Sequence, residues 1–241
     1  MTGEPQAVVE LHDIWRTYSM GETEFQALQG VSLSIRQGEF VALMGPSGSG
    51  KTTLMQIIGL LDRPTAGRYL LGGRDVTLLN ENERAEARNA DIGFVFQAFH
   101  LLPRLSLLEN VEVPLTYAGM PARERRERAL HLLSRVGIES KAHSLPSQIS
   151  GGQKQRVAVA RALAAEPKLL LADEPTGNLD SRTSEEVMAL FHELHDEGRS
   201  IVIVTHEPDI GQHAQRIVRV RDGLIEGQDV RRAGSGTWAA V

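Results

Sequence analysis

No cysteine occurs among the 241 residues. That excludes disulfides, Cys-ligated zinc, iron–sulfur clusters and thiol nucleophiles, and it suits a reducing compartment. Nor is there an excess of positive charge: 26 Lys and Arg against 31 Asp and Glu give −5. Proteins that hold DNA or RNA by neutralising phosphates usually carry a basic face, so no nucleic-acid partner is expected. Long apolar runs are missing too. Leu54–Leu61 and Ile201–Val204 are the most apolar windows, far short of the roughly 18–20 residues that span a bilayer. Direct membrane insertion is therefore not expected. Met1–Glu10 lacks a basic segment followed by an apolar one, the pattern of a secretory signal. What is present is 41% hydrophobic residues, enough to bury a substantial core.

Ala7–Ile14 and Val31–Ile35 alternate and read as strands of an antiparallel layer. Glu39–Met44 is almost wholly apolar, as a strand buried on both faces of a parallel sheet should be. A helix is expected over Lys51–Leu61, broken before Pro64 and Gly67, with a strand near Arg68–Leu71. In the middle third, Pro121 and the mixed run Arg123–Arg128 lead into Ala129, Leu130, Leu133 and Val136 at helical spacing, closed by Gly137. This marks a helical subdomain over about 98–165. The mixed charges of that run read as a solvated face. An α/β pattern returns after Pro167, with strand Leu169–Ala172, helix Ser184–Leu194, strand Ser200–Thr205 and a strand-rich stretch at Ile217–Ile225. One domain over 1–227 is expected, followed by a mobile tail over 228–241.

Gly45, Pro46, Ser47, Gly48, Ser49, Gly50, Lys51, Thr52 and Thr53 lie between a buried strand and a helix. The glycines allow backbone N–H groups to turn toward phosphate oxygens, and the helix start adds partial positive charge. Lys51 supplies a point charge and Thr52 a hydroxyl for Mg²⁺, so the loop fits a nucleoside triphosphate. No Asn-Lys-x-Asp string marks a guanine reader. Asp173 and Glu174 close the strand Leu169–Ala172, at the end where open α/β sheets bind ligands. Asp173 suits Mg²⁺ and Glu174 the attacking water. Taken alone, the two carboxylates read better as solubilising charges, and it is the phosphate-type loop in the same chain that reverses this. Ser150 and Gln153 form a capping box at a helix start that includes Gly151 and Gly152. That too could be a purely structural cap.

With GPSGSGKTT (Gly45–Thr53), Gln97, ISGGQKQR (Ile149–Arg156), LLLADEPTGNLD (Leu169–Asp180) and His206, the chain resembles the ATP-binding cassette (ABC) ATPases across Val8–Gly227. The resemblance implies an α/β P-loop NTPase core with an antiparallel β layer and an inserted helical subdomain. It implies an ATPase using ATP and Mg²⁺. The active form would be a head-to-tail pair in which the Ser150–Gln153 turn of one copy closes on the γ-phosphate held by the other. On the same ground Tyr18 matches the aromatic that stacks on adenine. Gln97 matches the residue that senses Mg²⁺ and the membrane partner, Asp180 the carboxylate that crosses the interface, and His206 the switch residue near the γ-phosphate. Lys51, Gln97, Glu174 and His206 would then be catalytic, and Thr52, Gln97 and Asp173 would hold the metal. Tyr18 by itself is as well read as a strand aromatic over the core, and His206 as a structural histidine.

Ile149, Thr52 and Asn178 depart from the commoner Leu, Ser and Ser or Ala without removing a needed group. Gly59–Thr65, Gly93–Gln97, His100–Pro103, Glu109–Val111 and Thr176–Asp180 resemble one subfamily, the ATPases of macrolide-export and lipoprotein-release systems. The implied partner is an integral membrane permease, which would place the chain on the inner face of the cell membrane. The alternative is an ATP-gated clamp on a cell-division or envelope partner, without transport. Phe99, Leu101, Leu102, Leu105, Leu107 and Leu108 cluster after Gln97. Those not in the core are expected to line a groove for a helix of the membrane subunit.

Overall fold

The computed structural model describes residues 6–21, 23–231 and 238–240. In chain order these form β1 (Ala7–Met20), β2 (Thr23–Arg36), β3 (Phe40–Met44), α1 (Lys51–Ile58), β4 (Ala66–Leu71), β5 (Arg74–Asp75), α2 (Glu81–Asp91) and β6 (Ile92–Phe96). Then come α3 (Leu107–Tyr117), α4 (Ala122–Arg135), α5 (Gly151–Leu163), β7 (Leu169–Asp173), α6 (Ser181–Asp196) and β8 (Ser200–Thr205). The chain closes with α7 (Pro208–Gly211), β9 (Arg216–Arg221), β10 (Leu224–Arg231) and β11 (Trp238–Ala240).

An antiparallel sheet, β2-β1-β4-β5, stacks on a seven-stranded sheet ordered β11-β10-β9-β3-β8-β7-β6. Within the larger sheet β3, β6, β7, β8 and β9 run parallel. Strands covered on both faces should be apolar throughout, and β8 is buried at every position. Alternate residues serve two cores. Val41 and Leu43 of β3 face the antiparallel sheet and α1, whereas Phe40 and Ala42 face the layer of α3, α4, α5 and α6. The expected antiparallel layer and helical subdomain are both present, the latter holding α3, α4 and α5.

Several elements were not apparent in the sequence, α2, β6 and α3 among them. α2 buries only Arg84 and Ala87, so it has no apolar stripe and depends on its Asn80–Glu83 capping box. β6 is five residues long, and α3 contains Pro114, which obscures a helical pattern. α1 ends at Ile58 rather than Leu61, because Leu60 turns left-handed at φ 53° and the Leu61 N–H bonds back to the Gln56 carbonyl at 2.8 Å.

The expected mobile tail is corrected in part. Residues 228–231 belong to β10, and Trp238–Ala240 pair with Asp229–Arg231. Trp238 rests against the helix-side core, which gives this edge apolar contact to hold it. Residues 232–237 and 241 lie outside the described residues.

Candidate active site

β3 delivers Gly45 to a position where a Cβ would collide with the Val220 carbonyl. Gly50 caps α1 with φ 102° and offers no side chain to the helix start. A Cβ there would lie 2.7 Å from the Ala27 carbonyl oxygen. The first-turn N–H groups of α1 therefore meet no cap, the arrangement that favours an anion. Lys51 reaches back under the loop, its Nζ donating to the Gly45 and Pro46 carbonyls at 2.7 and 2.8 Å. Burial pushes its pKa down, while the Glu174 and Asp173 carboxylates push it up.

β7 places Asp173 beside this loop. Burial raises the Asp173 pKa, repulsion from Glu174 raises it further, and Lys51 opposes both. Glu174 turns off the strand with φ 42°, held by its N–H on the Val204 carbonyl at 2.9 Å. Its Oε1 lies 2.7 Å from His206 Nδ1, just beyond β8. Gly45, Pro46, Ser47, Gly48, Lys51, Thr52, Asp173, Glu174 and His206 line one cavity of about 960 Å³. Ser49 Oγ is buried without a partner in the same loop. The described residues hold no group of three His, Cys, Asp or Glu that could bind a metal. Thr52 and Asp173 still fit Mg²⁺, a hard cation that takes one or two protein oxygens and completes its shell from phosphate and water.

The cavity has a wall that the sequence did not reveal. Arg219 of β9, Glu226 and Asp229 of β10 and Trp238 of β11 line it, and Arg219 pairs with Asp229. No motif marks these residues, because the pairing of β9, β10 and β11 at the sheet edge brings them together.

A second group of expected residues gathers elsewhere. Phe96 lies opposite Asp173 across the β6–β7 pair, so Gln97 emerges next to Glu174. Its carbonyl accepts from Asn178 Nδ2 at 3.0 Å, and its side chain crosses Gly177, where a Cβ would lie 2.6 Å from Nε2. Ser150 and Gln153 cap α5 reciprocally, at 3.3 and 3.1 Å. Gly151 lies near Leu179, and a Cβ on Gly152 would collide with Thr183. Asp180 caps α6, accepting from Thr183 N–H and hydroxyl at 3.0 and 2.7 Å. Those bonds, the hydroxyl one foremost, hold its carboxyl below the usual range. None of Gln97, Ser150, Gly151, Gly152, Gln153 and Asp180 lines the 960 Å³ cavity.

Tyr18 also stands away from it. Its hydroxyl donates to Asp62 Oδ2 at 2.7 Å, and the Arg16 guanidinium covers its ring at 4.3 Å. Of the apolar residues after Gln97, Leu107 and Leu108 are core, and Leu102 is exposed. A groove of about 1050 Å³ does exist, but Phe94, Phe96, Leu115, Ala118 and Met120 supply its apolar lining. Neither Leu102 nor Leu105 belongs to it, which corrects the expected location: α3 turns Leu107 and Leu108 inward and leaves the preceding loop outside.

The sequence profile described as ABC transporter matches residues 28–177. The chain belongs to this family. It is 53% identical over 224 residues to an uncharacterized ABC transporter ATP-binding protein of Thermotoga maritima, covering 93% of this chain and 96% of that protein. It is 57% identical over 222 residues to the macrolide export ATP-binding/permease protein MacB of Syntrophobacter fumaroxidans. That match covers 91% of this chain but 31% of the relative, so the chain spans under a third of that protein's length. Among solved structures, the dimeric ATP-binding cassette MJ0796 in a post-hydrolysis state with ADP and Pi superposes with a TM-score of 0.86 at 45% identity. It covers 93% of this chain and 99% of the cassette. The chain is therefore an ABC ATPase domain, an ATP-hydrolysing component of a transporter.

Proposed function

We propose that the chain hydrolyses ATP as a head-to-tail pair of identical subunits and drives a membrane-embedded export or lipoprotein-release complex. One observation carries this reading. Lys51, Asp173, Glu174 and His206 surround the cavity, while the Ser150–Gln153 turn, a second glycine-bearing helix start, lies outside it. A glycine-bearing helix start that lies outside its own chain's cavity and is closed by its own cap would meet the site of another copy with its outer face. The dimeric state of the MJ0796 cassette supports the same arrangement.

In this reading the loop N–H groups of Gly45–Thr53 and Lys51 Nζ bind the phosphates of ATP, the ammonium exchanging its two loop carbonyls for phosphate oxygens. Tyr18 stacks on adenine. Thr52, Asp173 and Gln97 would hold Mg²⁺, which when bound neutralises charge on the phosphate oxygens. Glu174 accepts the proton of a water whose oxygen bonds to the γ-phosphorus as the bond to the bridging oxygen breaks, leaving ADP and phosphate. His206 Nδ1 fixes the rotamer of Glu174 through its 2.7 Å bond to Oε1. The partner's Ser150 turn faces the γ-phosphate, and Asp180 lies across the same interface.

The groove formed by Phe94, Phe96, Leu115, Ala118 and Met120 would take a cytoplasmic helix of the membrane permease. No helix among the described residues is long and apolar enough to cross a membrane. Attachment through that permease to the inner face of the membrane accords with this. The test is the Glu174→Gln variant on a sizing column: ATP should convert it from monomer to dimer, and a monomer at saturating ATP would contradict the proposal.

A further inference from the structure

The loop after Gln97 is bent in a way that side chains resist. Phe99 and His100 have φ of 62° and 45°, two successive left-handed residues without glycine. Their carbonyls turn toward α5, where Arg161 donates Nη2–H to Phe99 at 2.9 Å and Nη1–H to His100 at 2.6 Å. Burial pushes the Arg161 pKa down, and no described carboxylate offsets that. Its charge is met by main-chain dipoles, an unusual use of a partly buried guanidinium. At the other end of the loop, Asn178 holds the Gln97 carbonyl and Gly177 supports its amide. Arg161 stands about three turns along α5 from Ser150, on the helix that begins with the signature turn.

We propose that Arg161 is a positioning residue for Gln97: its planar fork grips the Phe99 and His100 carbonyls and fixes the left-handed loop that holds the Gln97 carboxamide against Gly177, next to Glu174. The inference rests on the reading above, in which Gln97 serves hydrolysis. A fork with two donors can hold two adjacent carbonyls, whereas an ammonium is a point donor and holds them poorly.

Two readouts test it on the full chain. Amide exchange should quicken at Phe99 and His100, whose N–H groups now bond to Phe96 and Ala98 carbonyls, by about tenfold in Arg161→Met and nearly as much in Arg161→Lys. Over Gly151–Val159 it should stay as in the native chain. ATP turnover should show kcat reduced about tenfold and KM unchanged in both variants. In a Gln97→Ala background Arg161→Met should cost nothing more, since a residue acting through another is not additive with it. Unchanged exchange at Phe99 and His100, full rescue by lysine, or additive losses would each overturn the proposal. If Arg161→Met fails to fold, the lysine variant carries the same measurements. A native chain with no ATP turnover would instead sink the functional reading, and the exchange data would still decide whether Arg161 holds the loop.

Discussion

α1 and α5 both begin with glycine-rich turns, yet they are finished differently. Gly50 gives α1 no side-chain cap, and the nearest cation, Lys51, satisfies itself on the loop's own carbonyls. α5 is closed by the Ser150–Gln153 box and packs against Leu179 and Thr183 of its own chain. An open helix start beside a buried ammonium is built for an anion that enters later. A closed start is complete within the monomer, so any role in the reaction must come from presenting its outer face to a second copy.

The largest effect on this contrast should come from Glu174→Gln. Turnover should fall by at least about 100-fold while a fluorescent ATP analogue binds as before, measured by phosphate release and anisotropy. Retained turnover would remove the water-activating role from the open site. Lys51→Ala should weaken nucleotide binding by roughly tenfold to 100-fold through loss of a charge-assisted contact, read by the same anisotropy titration. Ser150→Ala should do the reverse. Binding to the isolated chain stays, turnover falls, and the lost cap lowers stability by about 1 kcal/mol in a denaturant titration.

Asp173→Asn sharpens the comparison through the stability of the ligand-free chain, where the expected shift is small. The folded pKa of Asp173 lies above its usual value, so the native state binds protons more readily than the unfolded chain. The resulting stability is present at acid pH and lost as pH rises through the folded pKa. At neutral pH the ionised carboxylate is a cost, and asparagine should raise the melting temperature of the ligand-free chain by about 2–4 °C while Mg²⁺-dependent turnover disappears. An unchanged or lower melting temperature would show that burial does not strain Asp173.

Much of this was legible in the sequence. Strand Ser200–Thr205 emerged with the ends expected of it, and β3 and β7 within one residue, because strands buried on both faces leave uninterrupted apolar runs. The glycine-rich loop and the carboxylates after Leu169–Ala172, which line one cavity, stood out because each is a run of consecutive residues. The Ser150–Gln153 box appeared as written, being local by construction. α2 and α3 were hidden by polar composition and by Pro114. The Arg219–Asp229 wall and the grip of Arg161 on residues 99 and 100 come from tertiary pairing across long separations, and no local pattern encodes them. Which of the leucines after Gln97 turn inward was not readable either, since only the rotation of α3 decides it.

Mixing two impaired variants, Lys51→Ala and Ser150→Ala, at an ATP concentration too low to fill the Lys51→Ala site, tests the shared site most directly. Each homodimer lacks one half of both sites, whereas the mixed pair holds one intact site, formed by Lys51 of one copy and Ser150 of the other. Random pairing should restore turnover to about 25% of the native rate, growing with the square of concentration while dimers are scarce. A mixture no more active than its components, although both fold and the Ser150→Ala chain binds nucleotide, would contradict the account.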